Sequence, residues 1–227
     1  MRPAFRSKNE VVYDALRQSI IQGEYEPGTR LVIDELAASL GVSQIPIREA
    51  MRQLESDGFV VIEPYVGATI TELNADFILE IFALLESVEV ICSRIAMRCM
   101  SDDELATLEE LIHKMDNSLD DPEQWSQENK HMHLFICECA RTVLIYKMMQ
   151  KVLDHWDRLR LHYLKDVSAR RIKTAQQEHK QILEAFHSRN PDEVERAIRD
   201  HNRSALASYI QHLQSTGQIV VDLKDCR

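Results

Sequence analysis

The chain has 227 residues, 44% of them hydrophobic and 28% charged, which fits a soluble globular protein of one or two domains. Its formal net charge of −10 excludes broad, nonspecific attraction to a polyanion, so any nucleic-acid binding must depend on local charge. No apolar run approaches the ~20 residues that span a bilayer. The start, MRPAFRSKNE, lacks the apolar core of a signal peptide, so we expect a cytoplasmic protein with no membrane partner.

The cysteines follow no recognisable pattern. Five occur, at Cys92, Cys99, Cys137, Cys139 and Cys226. Their odd number and irregular spacing match neither a disulfide framework nor a CxxC zinc motif. We therefore expect them to be reduced and mostly buried as small hydrophobic side chains.

Glycine and proline divide the chain into two parts. Only six of each occur, which predicts a mainly α-helical protein, and no glycine lies between Gly67 and Gly217. The first part should hold short elements with tight turns, and the second part long helices. We place a first domain over 1–72, an all-α helical bundle over 75–215 and a loose C-terminal tail over 216–227.

The first domain begins with two predicted helices that end in glycine. NEVVYDALRQSIIQG stops at Gly23, and IDELAASLG stops at Gly41. Only Val42 and Ser43 then intervene before a third helix, whose apolar stripe begins at Ile47. Two short helices joined by so tight a turn are typical of a helix-turn-helix. FVVIEPYVGATIT then predicts two strands around a turn, which completes a winged helix.

The third helix presents Gln44, Arg48 and Arg52 four residues apart on its exposed side. In a helix-turn-helix such side chains reach base edges in the major groove, where arginine pairs with guanine and glutamine with adenine. Ser43 is the predicted N-cap, at a helix start whose backbone amides can hold a phosphate. Any amphipathic helix would present a similar ridge, but the preceding turn and the following hairpin favour DNA binding.

The second part predicts six helices, and their starts are clearest at Ser101 and at Asn190, which precedes a proline. Their approximate bounds are 75–99, 102–118, 123–140, 142–165, 167–189 and 191–214.

Three histidines on three of these helices share a face with apolar residues and should point inward: His133, His179 and His201. Each buried imidazole needs a hydrogen-bond partner, and one shared divalent metal would satisfy all three. Separate hydrogen bonds to carbonyl or carboxylate groups would also satisfy each histidine. The helical pattern leaves both interpretations open.

The first domain resembles the winged-helix domain of the GntR superfamily of bacterial transcriptional regulators. The matching motifs are EPGTRL, LAASLGVS, PIREAMRQLESDG and the GATI of the wing. The resemblance implies a homodimer that binds a palindromic, double-stranded DNA operator under the control of a small-molecule effector. It implies DNA contacts from Ser43, Gln44, Arg48, Arg52 and the wing glycine Gly67.

Two positions depart from that family. Gln44 stands where relatives usually have arginine, and Asp34 stands where several have a basic residue. We therefore expect an operator that differs from the family's common core. Arg2, Arg6 and Lys8 are further candidates for phosphate or minor-groove contacts, although a short basic start can equally be disordered.

The segments NKHMH, QQEHKQI and AIRDHNRSA resemble the metal-binding segments of the all-helical FCD effector domain of the FadR subgroup. Carried over, the metal ligands are Asn129, His133, His179 and His201, with Asn129 in place of the usual aspartate. His131 is the alternative if the helical phase is wrong. Three nitrogens and one oxygen suit zinc, nickel, iron or manganese.

The effector itself stays open. In FCD domains an arginine on the first helix often assists a carboxylate of the effector, and here Leu85 stands at that position. A carboxylic acid is therefore one candidate and a more apolar molecule is another. The arginines on nearby helices are expected to be solvated: Arg94, Arg98, Arg158 and Arg160.

The hypothesis is a one-component repressor or activator and not an enzyme. A metal-dependent hydrolase or lyase that uses the three histidines is one alternative. No HExxH motif supports it, and Glu178, beside His179 in the chain, is expected to point away from the histidines. The other alternative is a DNA-binding dimer whose helical part binds no ligand.

Overall fold

The computed structural model describes residues 7–217, which form two compact units. The first unit ends at Asn74 and the second begins at Ala75. None of the described helices combines the length and the apolar character that crossing a membrane requires.

Some sequence predictions fall outside the described residues. They concern Arg2, Arg6, Cys226 and the tail over 216–227, of which only the first two residues are described.

The first unit contains the three predicted helices: α1 Lys8–Gln22, α2 Ile33–Leu40 and α3 Gln44–Ser56. Gly23 and Gly41 end α1 and α2 with φ angles of 80° and 64°, a left-handed conformation that glycine adopts without strain. Helix α3 packs against both other helices. Its inner stripe, which includes Ile47, Met51 and Leu54, is buried as the sequence predicts.

A small antiparallel sheet accompanies these helices, with the strand order β1-β3-β2. The strands are β1 Arg30–Leu31, β2 Val60–Glu63 and β3 Gly67–Ile70. The predicted hairpin is confirmed as β2 and β3, with Glu63 paired with Gly67 at its turn end. Strand β1 was not predicted, because two residues are too short to show the alternation that marks a strand. The turn residue Tyr65 is fully exposed.

The second unit is helical throughout its described part. The long helices are α4 Ala75–Cys99, α5 Asp102–Met115, α6 Pro122–Cys139, α7 Val143–Leu159, α8 Lys165–His187 and α9 Pro191–Ser215. A 3-10 turn, Asp116–Ser118, follows α5, and a π-helical turn, Arg160–Leu164, joins α7 to α8. The predicted helices over 102–118 and 142–165 run through these two turns, which periodicity alone does not separate from an α-helix.

Helix α9 packs against α4 and α8, while α6 packs against α4, α5, α7 and α8. Fully buried side chains such as Leu108, Ile112, Ile182 and Phe186 form the main core. The inner faces of α4, α6, α8 and α9 are therefore held close together, and the three histidines lie on three of these faces.

The expectation that all cysteines are reduced is wrong for one pair. Cys92 on α4 and Cys137 on α6 form a disulfide between residues 45 apart in the chain, and both are buried. This pairing depends on how α4 packs against α6, which spacing in the sequence does not reveal. Cys99 and Cys139 are free, and burial raises the pKa of the Cys139 thiol to about 11, so it stays protonated at neutral pH.

Candidate metal centre and nucleic-acid interface

The three inward histidines lie together inside the second unit. His133 comes from α6, His179 from α8 and His201 from α9, and all three are buried. Each can offer a ring nitrogen to a set of atoms that all lie within 4.8 Å of one another. Ring centroids are 4.8–5.7 Å apart. The helical phase of the sequence therefore predicted their common location correctly.

Two of these histidines contact a carboxylate through their Nδ1 atoms. Glu89 Oε1 lies 2.6 Å from His133 Nδ1, and Glu178 Oε2 lies 2.8 Å from His201 Nδ1. A carboxylate accepts the Nδ1 hydrogen and leaves the Nε2 lone pair available to a metal. Asn202 donates to the other oxygen of Glu89 at 2.5 Å, which fixes that carboxylate in turn.

Both carboxylates are ionised at neutral pH. Burial opposes ionisation of Glu89, but its interactions with His133 hold its pKa below the ordinary value. Burial likewise opposes ionisation of Glu178, and its hydrogen bond with His201 lowers its pKa. The pKa of His201 is lowered by burial in spite of this partner. The Glu178–His201 pair therefore combines an anionic acceptor with a neutral imidazole, which is the form that binds a metal.

His179 has no such partner. Its side chain is fully buried, and neither ring nitrogen makes a hydrogen bond. Burial, followed by the charges of His201 and His133, holds its pKa well below the ordinary value, so the ring is neutral. Its ring stacks on Trp125 with centroids 5.6 Å apart. A buried polar group left unsatisfied costs about 1–3 kcal/mol, and a metal ion would remove that cost.

Asn129 is the candidate for a fourth donor. It lines the same cavity as His133 and His201, and its Oδ1 is buried without a hydrogen-bond partner. One amide oxygen with three imidazole nitrogens suits a divalent transition metal. The residues therefore fit the metal that the sequence motifs imply. His131, the alternative ligand, is exposed.

Two expectations about charged residues are corrected here. Glu178 does not point away from the histidines, since it contacts His201 across the α8–α9 interface. Glu89 was missed altogether. The signal that could have found it is an acidic residue inside the apolar run SVEVIC, where a buried charge requires a partner.

The cavity beside the histidines has a volume of about 50 Å³. Leu85 lines it, as do Arg160 and Arg171. Arg158 and Arg160 are buried, so the expectation that they are solvated is wrong for both. Of the other two arginines, Arg94 is partly exposed and paired with Asp192 and Glu195, and Arg98 is exposed.

In the first unit, the three ridge residues of α3 are all exposed. Gln44 Nε2 donates to Asp34 Oδ1, and Gln44 Oε1 accepts from Arg48 Nη2 at 3.2 Å. Arg52 lies apart from this chain of contacts and pairs with Glu49 at 3.4 Å. The two positions that depart from the family pattern, Asp34 and Gln44, therefore touch each other and orient Arg48.

The remaining predicted DNA contacts flank this ridge. Ser43 is the N-cap residue of α3, and its side chain makes no capping hydrogen bond. Gly67 begins β3 with a φ of 112°, and a Cβ there would lie 3.4 Å from Arg30 Nε. A cleft lined by Arg30, Asp34, Gln44, Arg48 and Gly67 separates the start of α3 from the base of the wing.

Comparisons with known proteins agree with both units. Residues 8–70 match the gntR family of bacterial regulatory proteins, and residues 80–204 match the FCD domain. The HTH-type transcriptional repressor RspR of Escherichia coli is 24% identical over 195 residues, covering 85% of both chains. The HTH-type transcriptional repressor NanR of Klebsiella aerogenes is 27% identical over 235 residues, covering 92% of this chain and 88% of its own.

Solved structures show the same fold. E. coli McbR/YncC superposes with a TM-score of 0.73 at 22% identity, over 91% of this chain and 99% of its own. The matched families and relatives are transcriptional regulators and not enzymes, which excludes the hydrolase or lyase alternative. The chain therefore belongs to the GntR family of bacterial transcriptional regulators, with an N-terminal winged helix-turn-helix and a C-terminal FCD domain.

Proposed function

We propose that this regulator is a cytoplasmic homodimer that binds a palindromic DNA operator and changes its operator affinity when a small molecule binds beside a metal in the FCD domain. The observation that supports this proposal most directly is the buried imidazole of His179, which has no hydrogen-bond partner. It lies beside two histidines that each contact a carboxylate. Two relatives named as repressors, RspR and NanR, support repression as the direction of control.

The metal would be held by Asn129, His133, His179 and His201. When bound, it supplies open coordination positions that attract an oxygen donor of the effector. Glu89 and Glu178 keep His133 and His201 in the metal-binding tautomer. Because these residues come from α4, α6, α8 and α9, a ligand that shifts the site also shifts the packing of four helices.

Exposed apolar side chains support the dimer. Helices α4 and α7 pack against each other, and both present large apolar residues to solvent. These residues, which are 38–75% exposed, are Leu84, Ile91, Val143, Leu144 and Met148. A second copy of the chain would cover such a surface, which a monomer would leave in water.

On DNA, we assign base contacts to Arg48 and Gln44 and backbone contacts to Ser43, Arg52 and Gly67. The Gln44 side chain orients the Arg48 guanidinium, which can then pair with a guanine edge. The Ser43 hydroxyl makes no capping hydrogen bond and can donate to a phosphate oxygen.

Arg48 and Arg52 should differ in how they contribute to operator binding. On a fragment from upstream of the protein's own gene, Arg48→Ala should weaken binding by about 1–3 kcal/mol and relax sequence preference at one position per half-site. Arg52→Ala should weaken binding equally on all sequences and reduce the salt slope by about 1 per half-site. Fluorescence anisotropy across a salt series measures both quantities. If the wild-type protein showed no salt-dependent binding to any fragment from upstream of its own gene, the proposal would be contradicted.

Gln44→Arg should introduce a preference for guanine at one position in each half-site, because arginine pairs with guanine in the major groove. Asp34 already contacts residue 44 and should hold the new arginine partly away from DNA. The double variant Asp34→Asn/Gln44→Arg should therefore show a stronger guanine preference than Gln44→Arg alone. Binding-site selection gives the comparison, and identical operators for all three proteins would mean that Gln44 is only a surface residue.

His179→Leu should abolish metal binding. The wild-type chain should hold about one divalent ion, measured by elemental analysis, and the variant none. After chelation the variant should be at least as stable as wild type, since leucine removes two unsatisfied buried nitrogens.

The matched control is His131→Leu, which changes an exposed histidine two residues from His133 and should retain the metal. A metal-free wild-type protein that no organic acid stabilises would instead favour the ligand-independent DNA-binding dimer.

The metal-free protein should lose stability in acid. The folded-state pKa of His179 is below that of the unfolded chain, so between the two values the unfolded state binds more protons and stability falls as pH falls. The lowered pKa values of Glu89 and Glu178 add a further loss in more acidic solution. Urea denaturation between pH 7 and pH 5 should show a slope shallower by up to about 1.4 kcal/mol per pH unit in His179→Leu. Equal slopes would show that His179 binds protons equally in the folded and unfolded states, which would contradict the lowered pKa.

A further inference from the structure

Ile45 is an apolar side chain on the otherwise polar outer side of α3. It is 73% exposed, and among the described residues of α3 it is the one large hydrophobic side chain left exposed. The inner stripe of α3 is complete without it, since the buried residues of this helix are Ile47, Ala50, Met51 and Leu54. A single exposed isoleucine is common on protein surfaces, so its position on α3 decides what it can do.

The helical phase places Ile45 beside the ridge residues of α3. It lies three residues before Arg48 and seven before Arg52, and these spacings fall on one side of an α-helix. Gln44 comes immediately before it and contacts Asp34 and Arg48. A macromolecule that contacts Gln44 and Arg48 would therefore also meet the Ile45 side chain.

The Ile45 side chain has little freedom to lose on binding. The two branches on its Cβ restrict rotation about χ1. Pro46 follows it in the first turn of α3, and the proline ring fixes its own φ angle there. Ile45 therefore offers a stiff apolar surface, and ordering it against a partner costs less entropy than ordering a long flexible side chain.

The chemistry of isoleucine limits what it can recognise on DNA. Arginine and glutamine pair with hydrogen-bonding groups of bases and phosphates, and isoleucine offers no such group. Against a phosphate or a polar base edge, Ile45 would displace water without replacing its hydrogen bonds, which is unfavourable. The apolar group that base edges present in the major groove is the 5-methyl of thymine. Contact between this methyl and Ile45 removes two apolar surfaces from water.

We propose that Ile45 is a specificity-determining residue that contacts the 5-methyl group of a thymine in each operator half-site. This inference rests on the proposed function, in which α3 lies in the major groove and Arg48 pairs with a guanine. Three residues of an α-helix rise by about 4.5 Å, and neighbouring base pairs are about 3.4 Å apart. The thymine should therefore lie within about two base pairs of the guanine that Arg48 contacts.

Replacing operator thymines by deoxyuridine, one symmetric pair at a time, tests the proposal. Deoxyuridine keeps every hydrogen-bonding group of thymine and lacks only the methyl group. The full-length protein is titrated by fluorescence anisotropy against the operator obtained by binding-site selection. At one thymine near the guanine of Arg48, the replacement should weaken wild-type binding by about fourfold per half-site, which is the effect of leaving one methyl-sized apolar group unburied.

Ile45→Ala should bind the thymine operator more weakly than wild type and should not respond to deoxyuridine at that position, because alanine ends at Cβ. Its salt slope should equal that of wild type, since no charge changes. Ile45→Val is the smaller change and should keep part of the deoxyuridine response. The matched control is Val11→Ala, which truncates a 53% exposed aliphatic side chain on α1 and should keep the full response. Thermal unfolding establishes that each variant is folded.

Three results would overturn the thymine contact and leave the proposed function standing. They are a wild-type affinity that no deoxyuridine pair lowers, a deoxyuridine effect equally large in Ile45→Ala, and a selected operator without thymine near the guanine of Arg48. A wild-type protein without salt-dependent binding to any upstream fragment would instead overturn the proposed function, and the thymine contact with it.

Discussion

A neutral, fully buried imidazole without a protein partner is the constraint around which the FCD domain is arranged. His179 lies among two other histidines, a stacked indole and a buried amide oxygen that also has no partner. Such a cluster is unfavourable unless something else enters it. The carboxylates of Glu89 and Glu178 lie on the far side of His133 and His201 from this centre and orient the two rings. A metal bound as proposed would remove the cost of leaving the His179 nitrogens without a partner.

The residues around His179 also hold the helices of the bundle together. Each participating side chain comes from a different helix, and the carboxylate–histidine pairs are also contacts between helices: Glu89–His133 joins α4 to α6, and Glu178–His201 joins α8 to α9. The disulfide between Cys92 and Cys137 joins α4 to α6 close by, because Cys92 lies one turn after Glu89 and Cys137 one turn after His133. A ligand bound at the histidines, as proposed, would therefore act on contacts that also pack the bundle.

How much of this the sequence could predict depends on whether a feature belongs to one helix or to two. The inward direction of His133, His179 and His201 is a property of each helix alone, and the 3.6-residue period was enough to find it. Glu89 and Glu178 matter only through partners on other helices, so no single periodicity identifies them. Arg160 lies in a π-helical turn, where an extra residue breaks the helical phase, and the expectation that it is solvated failed there.

In the DNA-binding unit, acidic residues outnumber basic residues. Residues 1–74 carry seven lysines and arginines against eleven aspartates and glutamates, so general attraction to the phosphate backbone is weak. Two of the acidic residues, Asp34 and Glu49, contact the exposed ridge of α3 directly, one through Gln44 and one through Arg52. If the ridge contacts DNA as proposed, these contacts must be exchanged for phosphate and base contacts when DNA binds. A nonspecific sequence would offer fewer contacts to Arg48 and would compensate less for the lost Asp34 and Glu49 contacts. On the proposed binding mode, the acidic neighbours would therefore lower nonspecific affinity more than specific affinity.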